Sequence, residues 1–217
     1  MERVIEPEVM DSLQEAIEYD AMDFTDVNTD FAERAVELGP LEGLILDAGT
    51  GPARIPIFLC QRRPQWRVIG IDLAQSMLDV GLKNIKDAGL QQQIELELVD
   101  AKRLPYPDAR FDMVVSNSLI HHLPNPLPFL RELKRVLKPN GAIFLRDLMR
   151  PASEDILQAI VDRVVGECND HQRQLFQDSL YAAFTLDEVK DMIQQASLEG
   201  VKVYQSSDRH WTAERAM

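Results

Sequence analysis

Apolar positions along the chain come in short runs that alternate with amphipathic stretches, and the alternation is regular through the centre. Residues 43–48 (GLILDA), 67–72 (RVIGID), 111–117 (FDMVVSN) and 141–148 (GAIFLRDL) are near-continuous apolar runs, as strands covered on both faces require. Residues 94–100 (IELELVD) alternate strictly, as a half-buried strand does. Between these runs lie helical spacings. One follows the Gly49-Thr50-Gly51 turn to about residue 62, one covers 74–88 with Met77, Leu78, Leu82 and Ile85 in step, and one covers 126–138, stopped by Pro139-Asn140-Gly141. Strand, helix, strand in this order implies right-handed crossovers and a parallel sheet with helices on both faces.

The rhythm changes at both ends of this core. Residues 150–184 predict one or two inserted helices, with Phe176, Tyr181 and Phe184 available as a wall for a substrate. Thr185-Leu186-Asp187-Glu188 is a capping box that opens a helix to about residue 198. Residues 200–206 and 209–215 predict two last strands joined by a turn too short for anything but antiparallel pairing. At the other end, Met10, Leu13, Ile17, Met22 and Phe24 punctuate an acidic arm over residues 1–40, expected as an amphipathic helical lid in which Tyr19 either closes over a ligand or is structural.

Charge sharpens the picture of that arm. The 217 residues carry a formal charge of −13. Residues 1–40 contain twelve acids opposed only by Arg3 and Arg34, so the remainder is nearly neutral. The length suits one domain spanning 1–217, and an acidic chain of 45% apolar residues is neither a disordered protein nor a good match for a phosphate backbone. No nucleic-acid or membrane partner is expected. No apolar run is long enough to cross a bilayer, the start lacks the pattern of a signal peptide, and Cys60 and Cys168 are too far apart in sequence for a disulfide framework or a metal motif. A cytoplasmic location is the expectation; the oligomeric state is not encoded in any recognisable pattern.

Candidate chemistry gathers at the carboxyl ends of the strands, where open α/β sheets bind ligands. The first three strands end in Asp47, Asp72 and Asp100, the fourth in Ser116-Asn117, and the fifth carries Asp147. The Gly49-Thr50-Gly51 turn lets backbone approach a ligand closely. Asp72, 21 residues beyond Gly51, has the spacing of a carboxylate that accepts both hydroxyls of a ribose. Asp100 can receive an adenine amino group, and Leu73, Met77 and Ala101 can flank the ring, although Met77 is equally a core residue. The turn fails the dinucleotide pattern G-x-G-x-x-G, because Arg54 stands at the sixth place, which disfavours a nicotinamide oxidoreductase.

Four stretches, LDAGTGPARIPI (46–57), VIGIDLAQSML (68–78), LVDAKRLPYPDARFDMVVSNSLIHHL (98–123) and LRELKRVLKPNGAIFLRDL (130–148), resemble the class I S-adenosylmethionine-dependent methyltransferases. Within these, they are similar to the small-molecule group of ubiquinone and menaquinone biosynthesis methyltransferases. The resemblance implies a Rossmann-like, seven-stranded, mostly parallel sheet of order 3-2-1-4-5-7-6. It implies S-adenosyl-L-methionine as cofactor, with Asp47, Gly49, Thr50 and Gly51 at its methionine part, Asp72 on the ribose, and Leu73 and Met77 beside the adenine. Asp100 and Ala101 would contact the adenine edge, and Ser116 or Asn117 the sulfonium end. Ala53 replaces the third glycine of the family's motif. Methyl transfer to a small-molecule acceptor is the implied activity, with a cofactor-binding regulatory or scaffold protein as the alternative.

The candidate catalytic residues are His121 and Asp147. Adjacent histidines on a helical turn diverge by about 100°, so His121-His122 lacks the i, i+4 spacing of a metal pair, and no metal is expected. The pair has a structural reading beside the catalytic one. Asp147 has an alternative as an ion-pair partner of Arg146 or Arg150, while His171 and His210 are assigned to the surface and the last hairpin.

Overall fold

A computed structural model describes residues 1–6, 12–22, 24–166 and 168–217; Met10, with Glu8, Asp11 and Asp23 of the acidic arm, lies outside the described residues. Seven strands form one sheet: β1 (Gly43–Ala48), β2 (Trp66–Asp72), β3 (Ile94–Leu98), β4 (Phe111–Asn117), β5 (Leu137–Leu148), β6 (Lys202–Gln205) and β7 (His210–Arg215). Their order is β3-β2-β1-β4-β5-β7-β6, as expected. The first five pair in parallel, and β7 runs antiparallel to both β5 and β6.

The apolar runs are continuous because each strand is covered twice. Alternate residues enter opposite cores: Ile45, Val68, Met113, Val115 and Phe144 face one layer, and Leu46, Ile69, Val114, Ile143 and Leu145 the other. The first layer comprises α2 (Thr25–Leu38) and α3 (Arg54–Arg62), with Ile85 from α4 (Gln75–Asp87). The second comprises α5 (Leu127–Val136) and α8 (Leu186–Gln195), the latter opened by the expected Thr185/Glu188 capping box. The inserted segment is two helices, α6 (Glu154–Val165) and α7 (Asp170–Ala182), which share a small core of their own around Leu157, Ile160, Val161 and Leu180.

Three boundaries differ from the sequence reading. Strand β3 stops at Leu98, so Asp100 sits in the loop beyond it. Helix α5 ends at Val136, and Pro139-Asn140-Gly141 is an irregularity inside β5, where the β4 register slips between Phe111 and Met113, and not the stop that precedes the strand. Gly141 is required there: a Cβ would lie 2.8 Å from the Asp112 carbonyl oxygen.

The acidic arm divides. In α2, Phe31, Ala32, Ala35 and Leu38 are buried, and Phe31 stacks at 4.4 Å on Phe144, so this half belongs to the body of the fold. Burial of a phenylalanine contributes about 1.5–3 kcal/mol, more than a hinged cover could give up on each opening. Among the described residues of the arm, 1–6 and α1 (Leu13–Asp20) lie over the strand ends. Helix α1 packs on α4 through Ala16 against Ala74 and Met77, and leaves Leu13 and Ile17 exposed, the reverse of the expected apolar face. Asp20 holds it in place by accepting from Arg54 at 2.7 Å and Asn84 at 3.0 Å.

Candidate active site

The cradle at the end of β1 is made of backbone. Gly49 and Gly51 take φ of +73° and +52°, and the N–H groups of Gly49 and Thr50 both donate to the Ile71 carbonyl at 2.9 Å. The turn is thereby pinned across to β2. A Cβ on Gly51 would point into open space, which leaves that edge bare for a ligand. Ala53 is left-handed too, at +60°, which explains why a glycine suits this position and gives the substitution a local cost of about 1 kcal/mol.

Two acids face this turn. Asp72 accepts from Gly51 N–H at 2.8 Å with one oxygen and from Ala74 N–H at 3.0 Å with the other. Burial pushes it upward against those two hydrogen bonds. Asp47 is fully buried, its Oδ2 has no hydrogen-bond partner, and burial, with Asp72 adding and Thr50 opposing, pushes it up to about 7. An unpartnered buried carboxylate oxygen beside a bare glycine turn is a receptor for a cation that also donates hydrogen bonds.

The remaining expected cofactor residues are distributed around it. Leu73 is exposed and Met77 buried under α1, and the bond from Val99 N–H to the Asp72 carbonyl brings Asp100 and buried Ala101 alongside. Asp100 caps its own loop by accepting from Lys102 N–H at 2.8 Å. Ser116 donates its hydroxyl to the Ala48 carbonyl at 2.8 Å and so ties β4 to β1, while Asn117 stays half-buried at the strand end. Tyr19, from the arm, is exposed at residue level and packs its ring 5.4 Å from Phe24, while desolvation and the charges of Asp72 and Asp147 push its phenol upward.

The second half forms around Asp147. Residues Ile120–His122 make a 3-10 turn after β4, and its N–H groups at Ile120 and His121 donate to Asp147 Oδ2 at 2.5 and 3.1 Å. Asp147 Oδ1 accepts from Leu148 N–H at 2.6 Å and meets His121 Nδ1 at 2.5 Å. Arg146 pairs instead with Asp30, and Arg150 with Glu188, so neither arginine competes for this carboxylate. Burial works against charge on both partners, but the mutual attraction of His121 and Asp147 wins: the imidazole is held above its ordinary pKa and the carboxyl below. His210 belongs to the last hairpin, within 2.9 Å of the Ser207 hydroxyl, and His171 is exposed on α7, as expected.

Two participants, Glu6 and Arg3, escaped the sequence reading. Glu6 places Oε1 3.4 Å from His121 Nε2 and 2.9 Å from His122 Nδ1. Arg3 donates to the carbonyls of Ala182, His121 and Leu123 at 2.6, 3.0 and 3.0 Å and lies 3.8 Å over the Phe184 ring. His122, weighed beside His121 as a pair in the sequence, joins them through Glu6. The arm segment thus straps α7 to the 3-10 turn, with Val4 N–H on the Tyr181 carbonyl. No local signal reveals a contact between residues more than 110 positions apart.

Comparison with known proteins agrees with this architecture. The family described as a methyltransferase domain matches residues 46–145, which run from the end of β1 into β5. A demethylmenaquinone methyltransferase of Lactobacillus johnsonii is 37% identical over 110 residues, 51% of this chain and 45% of its own length. The 27-O-demethylrifamycin SV methyltransferase of Amycolatopsis mediterranei is 29% identical over 80% of this chain and 61% of its own length. The chain therefore spans about half the length of the curated relatives it matches. In fold, a candidate S-adenosyl-L-methionine-dependent methyltransferase of Methanococcus maripaludis superposes with a TM-score of 0.73 at 18% identity, covering 99% of this chain and 98% of that one. Residues 46–145 match the methyltransferase-domain family, and the sheet order is the one that the resemblance to the class I S-adenosylmethionine-dependent methyltransferases implies.

Asp47, Gly49, Thr50, Gly51 and Asp72 fit that cofactor on their own chemistry. The orphaned carboxylate suits an ammonium, the bare Gly51 edge admits backbone contact, and both Asp72 oxygens keep a free lone pair for ribose hydroxyls. Among the described residues no helix is long and apolar enough to cross a membrane.

Proposed function

We propose that this chain transfers a methyl group from S-adenosyl-L-methionine to a hydroxyl of a small organic acceptor, with His121 as general base and Asp147 as the residue that orients it. The observation that carries this reading is the buried Asp147–His121 pair at the strand ends, adjoining the cradle. The cofactor supplies an electrophilic methyl on a sulfonium that leaves without help from an acid. What the protein must then provide is alignment, a water-poor site and a sink for the acceptor's proton. A base is needed when the nucleophile is a hydroxyl, and a fixed, electronically strengthened imidazole is suited to it.

Asp147 holds the Nδ1 proton, which leaves Nε2 as the basic nitrogen, with Glu6 of the strap 3.4 Å from it and displaced when the acceptor enters. Asp47 holds the cationic end of the cofactor, Asp72 its ribose, and Leu73, Met77, Asp100 and Ala101 surround the base. Tyr19 closes the boundary between the cofactor and acceptor halves. Ser116 acts by fixing the β1–β4 spacing, and Asn117 is the polar group left for the sulfonium end. The α6–α7 pair forms the acceptor's cap. The name of one relative designates an oxygen-linked acceptor group, which accords with a hydroxyl. Two unpaired thiols suit a cytoplasmic setting.

Tritium transfer from labelled cofactor to a panel of alcohols and phenols tests the proposal. An O-methyl product whose formation fails in His121→Ala is expected. Cofactor binding without transfer to any acceptor, or transfer that survives His121→Ala, would overturn it.

A further inference from the structure

The strap adds a carboxylate to a place that already holds two imidazoles. Glu6 Oε1 lies 2.9 Å from His122 Nδ1 and 3.4 Å from His121 Nε2, and one donor atom of each residue falls within 4.8 Å of the others. A single oxygen within reach of both ring nitrogens means that both nitrogens face one point. The rings are 4.0 Å apart and inclined at 36°, so these two neighbours in sequence lie side by side on the 3-10 turn.

From this convergence we propose that Glu6, His121 and His122 bind one divalent transition-metal ion of the zinc class. Bonds of about 2.0–2.1 Å in a tetrahedral shell put neighbouring donors about 3.3–3.4 Å apart, close to the 3.4 and 2.9 Å at which Glu6 meets the two imidazoles. Two imidazoles and one carboxylate suit zinc, cobalt or nickel and not magnesium or calcium, which take oxygen ligands. Three protein donors leave a fourth position for water.

Two further features favour a cation here. With its Nδ1 proton on Asp147, His121 presents a bare Nε2 lone pair to a carboxylate oxygen. Two acceptors facing each other need a positive species between them, either a proton or a metal ion. The same Asp147 contact is the outer carboxylate that metal-bound histidines commonly have.

The inference stands on the side-chain cluster and not on the methyl-transfer reading, although the two share His121. A metal on Nε2 and a proton accepted by Nε2 exclude each other, so the ion would hold the site in an idle, closed state under the strap. Chelator-treated Cys168→Ser protein, with the half-buried thiol removed and Cys60 buried, is titrated calorimetrically with zinc and spectroscopically with cobalt. One equivalent with a Kd of about 10 µM or tighter is expected, together with the strong visible bands of tetrahedral cobalt. Glu6→Gln and His122→Asn should each weaken binding about tenfold or more, and Asp147→Asn about 10–100-fold. Thermal melts confirm that Glu6→Gln, the least disruptive variant, is folded. Absence of one-equivalent binding, or an affinity that Glu6→Gln leaves unchanged, would overturn the site and leave a proton as the bridging cation. Methyl transfer by the metal-free protein is read separately, so its success alongside absent zinc binding counts against this inference alone.

Discussion

The two halves of the site are built by different means. The cofactor cradle uses pieces close in sequence or joined by adjacent parallel strands: the Gly49–Gly51 turn, Asp47 beneath it, and Asp72 one strand over. The acceptor half joins a 3-10 turn at 120–122, a carboxylate on β5, the end of α7 and a strap at residues 3–6. A cradle made of backbone can serve any acceptor. An assembly of distant side chains can change with the acceptor while the sheet stays as it is. The difference predicts that damage to one half leaves the other working.

The strongest break should come at the base. His121→Ala is expected to lower kcat about 10²–10⁴-fold while the cofactor Kd, read by calorimetry, stays where it was. The converse break is Asp72→Ala, which removes the acceptor for two N–H groups as well as for the ribose; a loss of about 2–3 kcal/mol, or roughly 10²-fold in cofactor affinity, should appear in the same titration. Loss of both functions in either variant would erase the distinction.

Asp47 sharpens it through pH. Its carboxyl, raised to about 7, is protonated below that value in the free protein and charged above it. A cationic ligand therefore binds more tightly as pH rises from 6 to 8, by about tenfold, and Asp47→Asn should flatten the profile. For stability the sign is opposite. The unfolded chain gives up this proton near pH 4, so the free protein loses stability as pH rises from about 4 to 7, and a series of melts without cofactor should show it.

Arg3→Ala should act only on the acceptor half. Removal of its hydrogen bonds and its stacking on Phe184 costs about 1–3 kcal/mol locally, visible as faster hydrogen exchange in α7 and a higher acceptor KM at constant cofactor Kd. The smallest effect is at Ala53. Glycine there relieves a left-handed alanine and should raise stability by about 0.5–1 kcal/mol, seen as an upward shift in Tm.

The same contrast governs what could be read in advance. The strand runs and the glycine turn were legible because each depends on local spacing, whereas the sheet order was legible only through the family resemblance. Asp147 was found as a strand-end acid with an ion pair to Arg146 or Arg150 as the alternative, and its contact with His121 was not foreseen; only the tertiary placement of Asp30 and Glu188 draws those arginines away. The arm was misjudged where composition outweighed packing: its acids suggest one cover, while Phe31 and its neighbours are as buried as any strand residue. Helix α1 illustrates the limit again. Alanine at position 16 allows a close approach to α4 that no hydrophobic period predicts, and the larger Leu13 and Ile17 point away.

The four contacts made by Asp147 also impose an order in time. Until β5 joins the sheet beside β4, the N–H groups of Ile120 and His121 have no acceptor, so the turn that carries the base has little reason to form. The reactive corner would therefore mature late in folding, after the central strands have paired. Pulse-labelled amide exchange would then show protection at Val114 and Phe144 before Ile120 and His121, and simultaneous protection would contradict that sequence of events.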